Sequence, residues 1–226
     1  MSVELKAADY IEWDVPNWAQ ALDFWRAHTT HDLSRSSVLE IGCGGGGLSL
    51  WFAQQGARVT CSDIHGPQEK ARLKHAASGV EGLIEYATVD ATAIPYRDEY
   101  DLVVFKSMLG GIPTKEAQAV AIGEMHKALK PGGELLFAEN LTASAMHQYL
   151  RRRYVRWGRE WRYVTVAEML EFLAPFAQVS TRTLGFAGTF GRSEKQRHAL
   201  GFCDRFLFNR LTPSRWRYIL LGIARK

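Results

Sequence analysis

What this chain lacks narrows it first. No apolar run approaches the roughly 20 residues that cross a bilayer, so no membrane span is expected. The stretch from Met1 to Lys6 has neither the basic start nor the apolar core of an export signal, and the expected location is the cytoplasm. The three cysteines, Cys43, Cys61 and Cys203, are too few and too widely spaced for a disulfide framework or a C-x-x-C zinc site. Reduced thiols are expected, and no metal. Net charge is slight, +4 over 226 residues; it permits an anionic ligand without marking a nucleic-acid binder. There is no internal repeat, low-complexity tract or long linker, and the length suits one well-buried α/β domain rather than two.

What is present is a strand–helix rhythm. Before it, Pro16 suits a first helical turn, and Trp18, Ala21, Leu22 and Trp25 recur at helical spacing. From Ser37 onward, Val38 to Ile41 forms a buried strand, a glycine loop runs from Gly42 to Gly47, and Leu48 to Gln55 forms a helix closed by Gly56. Strands follow at Ala57–Ser62, Leu83–Val89, Tyr100–Phe105 and Glu134–Glu139. Helices fall at Pro67–Ala77 and at Thr114–Leu129, and Pro131-Gly132-Gly133 makes a turn. Such alternation predicts a parallel sheet with helices on both faces. After Asn140 the rhythm changes. Residues 141–163 form a helical insertion, and Thr165 with Glu168 makes a capping box for a helix ending at Leu173. Gln178–Phe186 and Trp216–Ala224 are strand-like, with a helix between them near Ser193–Asn209.

The loop Glu40-Ile41-Gly42-Cys43-Gly44-Gly45-Gly46-Gly47 follows a strand and opens a helix, the context in which such a motif carries weight. Its glycines let a ligand approach the main chain, and the helix start offers N–H groups to an anion. Gly42, Gly44 and Gly47 satisfy the G-x-G-x-x-G spacing of dinucleotide sites. Glu40, Gly42, Gly44 and Gly46 satisfy a second pattern, acid-x-G-x-G-x-G. The acid discriminates, since a carboxylate beside a pyrophosphate repels it, whereas a zwitterionic amino-acid group brings an ammonium that needs an acceptor.

With that acid, with Asp63 ending strand two, Asp90-Ala91 ending strand three and Lys130-Pro131-Gly132-Gly133-Glu134-Leu135 turning into strand five, residues 37–140 resemble the class I S-adenosylmethionine-dependent methyltransferases. The resemblance implies a Rossmann-like three-layer α/β sandwich whose seven-stranded sheet runs 3-2-1-4-5-7-6, with strand seven antiparallel. It implies S-adenosylmethionine as cofactor, contacted by Glu40, Gly42, Cys43, Gly44, Gly46, Asp63, Ile64, Asp90, Ala91 and Lys106, with Asp63 on the ribose hydroxyls and Asp90 on the adenine amino group. Within one domain, residues 1–33 are expected as a helical lid, 34–140 as the cofactor core, 141–176 as an acceptor-side insertion and 177–226 as the closing strand pair. Stretches such as Phe105–Ile112 and Trp157–Val164 resemble a bacterial subgroup associated with surface-carbohydrate gene clusters.

The reaction such a fold supports is in-line methyl transfer, which needs alignment and, for an oxygen nucleophile, a base. Ligands sit outside the carboxyl ends of the strands. Two titratable side chains fall there: His147, whose ring titrates near neutrality, and Glu139 at the end of strand five. Residues 151–162 hold six arginines together with Tyr154, Trp157 and Trp161, a composition suited to an anionic or polar small-molecule acceptor. The base-amino methylation motif Asp/Asn/Ser-Pro-Pro-Tyr/Phe is missing after strand four, where Phe105 to Gly111 stands. A sugar or sugar-nucleotide hydroxyl leads the acceptor classes. Other metabolites as O- or N-acceptors come next, then RNA or an inactive cofactor-binding module.

Overall fold

The computed structural model describes residues 6–154 and 160–226. One sheet organises it, in the order β3-β2-β1-β4-β5-β7-β6. Its strands are β1 (Ser37–Ile41), β2 (Arg58–Asp63), β3 (Ile84–Thr88), β4 (Tyr100–Lys106), β5 (Leu129–Asn140), β6 (Gln178–Leu184) and β7 (Ile219–Arg225). β1 to β5 pair in parallel where they are neighbours, and β7 runs antiparallel to both β5 and β6. This is the predicted topology, with strand seven as the antiparallel member.

Helices α1 (Ala7–Tyr10), α2 (Val15–Trp18), α3 (Gln20–His28), α4 (Gly47–Gln54), α5 (Glu69–Ala77) and α6 (Lys115–Ala128) flank the first five strands. α7 (Ala145–Tyr154), α8 (Val166–Phe172), α9 (Glu194–Cys203) and α10 (Asn209–Leu211) follow. The central strands β1, β4, β5 and β7 are buried on both sides, so neighbouring residues feed opposite cores. Val38, Leu102 and Leu136 join Trp18, Trp25 and Phe52 on one face; Leu39, Val103 and Leu135 join Ile122, Met125 and Phe172 on the other. Caps sit where the sequence places them: the Thr114 side chain accepts from Ala117 N at 3.1 Å, and Thr165 and Glu168 bond reciprocally.

Three local expectations change. Pro131-Gly132-Gly133 is not a turn ahead of β5 but lies within it, at a register break where Tyr100 faces Leu129 and Leu102 faces Glu134. Gly132 takes a left-handed φ of 78° there, so the chain bulges without leaving the sheet. The helix expected over Ser193–Asn209 breaks at Cys203 into a π-turn over Asp204–Phe208, because Asp204 is drawn inward to accept from Ala187 N and Gly188 N at 2.7 and 2.8 Å. β7 begins at Ile219, after a 3-10 turn at Ser214–Trp216. Of the arginine-rich stretch, residues 155–159 lie outside the described residues.

Candidate functional site

The glycine loop leaves β1 and enters α4 with three left-handed glycines, Gly42, Gly44 and Gly46, at φ 72°, 51° and 73°. Only glycine takes these angles without strain. A Cβ at Gly44 would meet nothing, so this edge of the loop faces open space, whereas one at Gly42 would strike Met108. Gly44 N–H donates to Asp63 Oδ2 at 3.1 Å, binding the loop to the end of β2. Ile64, beside it, exposes its apolar side chain. Asp90 lies exposed past the end of β3. Its Oδ1 accepts from Thr92 N and Oγ1 at 2.8 and 2.7 Å, bonds that hold the carboxyl below its ordinary range. Ala91 is buried behind it. Cys43 N donates to Ser62 O at 2.9 Å, and its thiol is buried beside Cys61, which with desolvation raises its pKa. An open glycine edge, an acid at the end of β2, an exposed apolar residue next to it and an exposed acid after β3 fit an adenosine with ribose hydroxyls.

Glu40 behaves differently from its expected contact with an ammonium. It is buried under the loop, and its Oε2 accepts from Ser49 N at 2.9 Å and from the Ser49 hydroxyl, capping the first turn of α4. Burial pushes its pKa up to about 7. The carboxylate lying over the loop is instead that of Glu12, where a Cβ on Gly45 would overlap it. Glu12 also pairs with Lys74 at 3.4 Å.

At the end of β4, the Lys106 ammonium stands 5.3 Å from the centre of the Trp18 ring, and burial lowers its pKa while Glu12, Glu40 and Glu139 pull it up. Among the described residues it makes no hydrogen bond or ion pair. Ser107 follows in a left-handed conformation and accepts from Asn140 Nδ2 at 2.6 Å. Trp13, Trp18, Lys106, Ser107 and Trp161 line a small hollow here.

Glu139 is fully buried and accepts from three backbone amides. Oε2 accepts from Met108 N and Leu109 N at 2.8 Å each, and Oε1 accepts from Asn140 N at 2.7 Å. Desolvation raises its pKa to about 7 against the pull of those amides. His147 is also fully buried. Its Nε2 lies 2.8 Å from the Phe186 carbonyl, which only accepts, so Nε2 carries the proton and Nδ1 accepts from Ser144 Oγ at 2.6 Å. Desolvation lowers its pKa to about 4. The acceptor nitrogen of His147 is taken by Ser144, and Glu139 has three of its roughly four acceptor sites filled by main-chain amides.

Beside Asn140 and His147 opens a cavity of about 510 Å³. Its wall carries three arginines, Arg151, Arg192 and Arg197, with Trp13, Tyr154, Tyr163 and Phe190, and among the described residues no carboxylate lines it, although Arg197 pairs with Glu194 beside it. Arg151 donates to the Leu141 carbonyl at 2.6 Å and stacks 4.1 Å from the Tyr163 ring. Among the described residues, the Tyr163 hydroxyl and Arg197 Nε are buried without a hydrogen-bond partner. Such orphaned groups are costly unless a ligand or water meets them. Phe190, Arg192 and Arg197 carry no sequence signal for this site, because they lie in the stretch from the end of β6 into α9, far along the chain from Arg151 and without a motif. From the segment expected as a lid, Trp13 lines this cavity. Trp25 packs into the core, donating from Nε1 to the Gly222 carbonyl at 3.2 Å.

Residues 39–137 match the family described as "Methyltransferase domain". Ubiquinone biosynthesis O-methyltransferase from Azotobacter vinelandii (strain DJ) is 38% identical over 107 residues, 47% of this chain and 45% of that protein. The Erwinia tasmaniensis protein of the same name is 38% identical over 117 residues, 50% of this chain and 46% of its own. The chain thus spans about half the length of the curated relatives it matches. Geranyl diphosphate C-methyltransferase from Streptomyces coelicolor A3(2), solved with S-adenosyl-L-homocysteine, superposes at TM-score 0.64 with 13% identity, over 92% of this chain and 76% of that one. With the strand order and the glycine loop in place, residues 39–137 are a methyltransferase domain, and the chain has the fold of the class I S-adenosylmethionine-dependent methyltransferases.

Proposed function

We propose that this protein transfers the methyl group of S-adenosylmethionine to an oxygen of a small anionic or polar acceptor, with sugars and sugar nucleotides as the leading class. The observation that carries this reading is the cavity past the end of β5, which among the described residues combines three guanidinium groups, no lining acid and a buried tyrosine hydroxyl with no hydrogen-bond partner. The cofactor, when bound, supplies an already activated methyl carbon. Gly42, Cys43, Gly44 and Gly46 would hold its methionyl end, Asp63 its ribose, and Asp90, Ala91 and Ile64 its adenine. Lys106, which has no ion pair among the described residues, would meet the cofactor's carboxylate.

The chain's own task is alignment and exclusion of water. Glu139 fixes the turn that carries Met108 and Leu109, and Asn140 fixes Ser107; both act by position. His147, neutral and tied to Ser144 and Phe186, holds α7 against the cavity wall. Trp13 and the insertion residues Arg151 and Tyr163 form the acceptor side. The oxygen chemistry draws support from the relatives' names as O-methyltransferases.

Incubation with methyl-labelled cofactor and separate panels of sugar nucleotides, hydroxylated aromatic acids, protein and RNA tests the reading. Label in a small anionic hydroxyl compound supports it. Label in RNA or protein alone, or binding of the cofactor with no label transferred, overturns it.

A further inference from the structure

Between β6 and β7 the chain presents large apolar side chains to solvent. Phe202, Phe206, Leu207, Leu211 and Trp216 are exposed, Phe202 by 64% and Leu211 by 70%, and the rings of Phe202 and Phe206 lie tilted with centres 4.5 Å apart. Isolated exposed apolar residues are ordinary, but five in fifteen residues are not. Arginines interleave them: Arg205, Arg210 and Arg215 are all exposed, and among the described residues none makes an ion pair. The only acid from Lys195 to Arg217 is Asp204, which is buried and spent on two backbone amides. The same helix turns its other side inward, with Gly201 and Asp204 buried.

We propose that this face docks on an anionic lipid bilayer. Aromatic and aliphatic side chains beside arginines, with no exposed acid among them, match an interface where apolar groups enter the acyl boundary while cations meet the headgroups. A second copy of the chain fits worse, because an isologous contact sets the same patch against itself and brings arginine to arginine. The face also joins the acceptor cavity. Phe186 contacts Phe208 and Trp216 at ring distances of 5.5 and 6.4 Å on one side and His147 at 5.1 Å on the other. Arg197 of α9 lines the cavity itself. Docking would therefore set the cavity close to the lipid headgroups. The inference stands on surface chemistry and holds whatever the acceptor is.

Sedimentation of the full chain with phosphatidylcholine vesicles, with and without about 30% phosphatidylglycerol, tests it. The protein is expected to bind the anionic vesicles, to leave neutral ones in solution and to detach as salt rises from about 0.05 to about 0.5 M. The R205Q/R210Q/R215Q variant should lose about fivefold in affinity per arginine. F202S/F206S should lose binding with its charge unchanged, and L73S, on exposed Leu73 of α5, should bind like the parent. Absence of binding to anionic vesicles, equal binding to neutral ones, or undiminished binding by both patch variants overturns the proposal. So does a parent dimer that F202S/F206S converts to monomer, or a preference for single-stranded RNA over the vesicles.

Discussion

Gly44 and Asp63 meet across the carboxyl ends of β1 and β2, the amide donating to the carboxylate at 3.1 Å. This bond ties the glycine loop to the end of β2, and among the described residues Asp63 Oδ1 accepts no hydrogen bond. Asp63→Ala is expected to weaken S-adenosylhomocysteine binding by about 1.5–3 kcal/mol, the range for hydrogen bonds to a charged group. Calorimetry measures it. An unchanged affinity would remove Asp63 from the site.

Glu139 separates a positioning role from a base. Its three amide partners predict that Glu139→Ala lowers stability by about 3 kcal/mol in urea unfolding, because buried N–H groups lose their acceptor. A variant with unaltered stability and no turnover would restore the carboxylate to the chemistry.

His147 makes stability depend on pH. Its folded pKa is about 4 against an ordinary 6.5, so the ring stays neutral in the fold while the unfolded chain takes a proton. Its contribution is fully present above pH 6.5, falls as pH drops from 6.5 to about 4 and is constant below. The loss reaches about 3 kcal/mol at most. His147→Gln should show a correspondingly smaller decline in urea unfolding between those pH values. A variant that follows the parent's pH dependence would contradict the burial of a neutral ring.

The sheet was legible because its signals are local. Continuous apolar strands, glycine at the β1–α4 loop, and the caps at Thr114 and Thr165 each act within a few residues. The seven-strand order came from the family resemblance, since β6 and β7 carry no motif. The candidate cavity was only half legible. Arg151 and Tyr163 fall in or beside a stretch whose composition drew attention. Arg192, Arg197 and Phe190 reach the same wall only because β6 and β7 return the chain beside β5. Contacts made by folding alone also recast Glu40 and His147. A sequence shows a carboxylate near a glycine loop, but not that Ser49 takes its oxygen.

The cavity arginines give a kinetic prediction. Arg192→Gln and Arg197→Gln should each raise the acceptor KM by roughly tenfold, the loss of one charge-assisted hydrogen bond. Affinity for S-adenosylhomocysteine should stay unchanged. If KM holds and cofactor affinity falls, the cavity belongs to the cofactor and the acceptor enters elsewhere.

The central claim is that the open glycine edge with Asp63 and Asp90 holds S-adenosylmethionine rather than a dinucleotide. Titration calorimetry of the full chain with S-adenosylhomocysteine and with NAD tests it most directly. Saturable one-to-one binding of S-adenosylhomocysteine and weaker or no binding of NAD are expected. Tighter binding of NAD would contradict it.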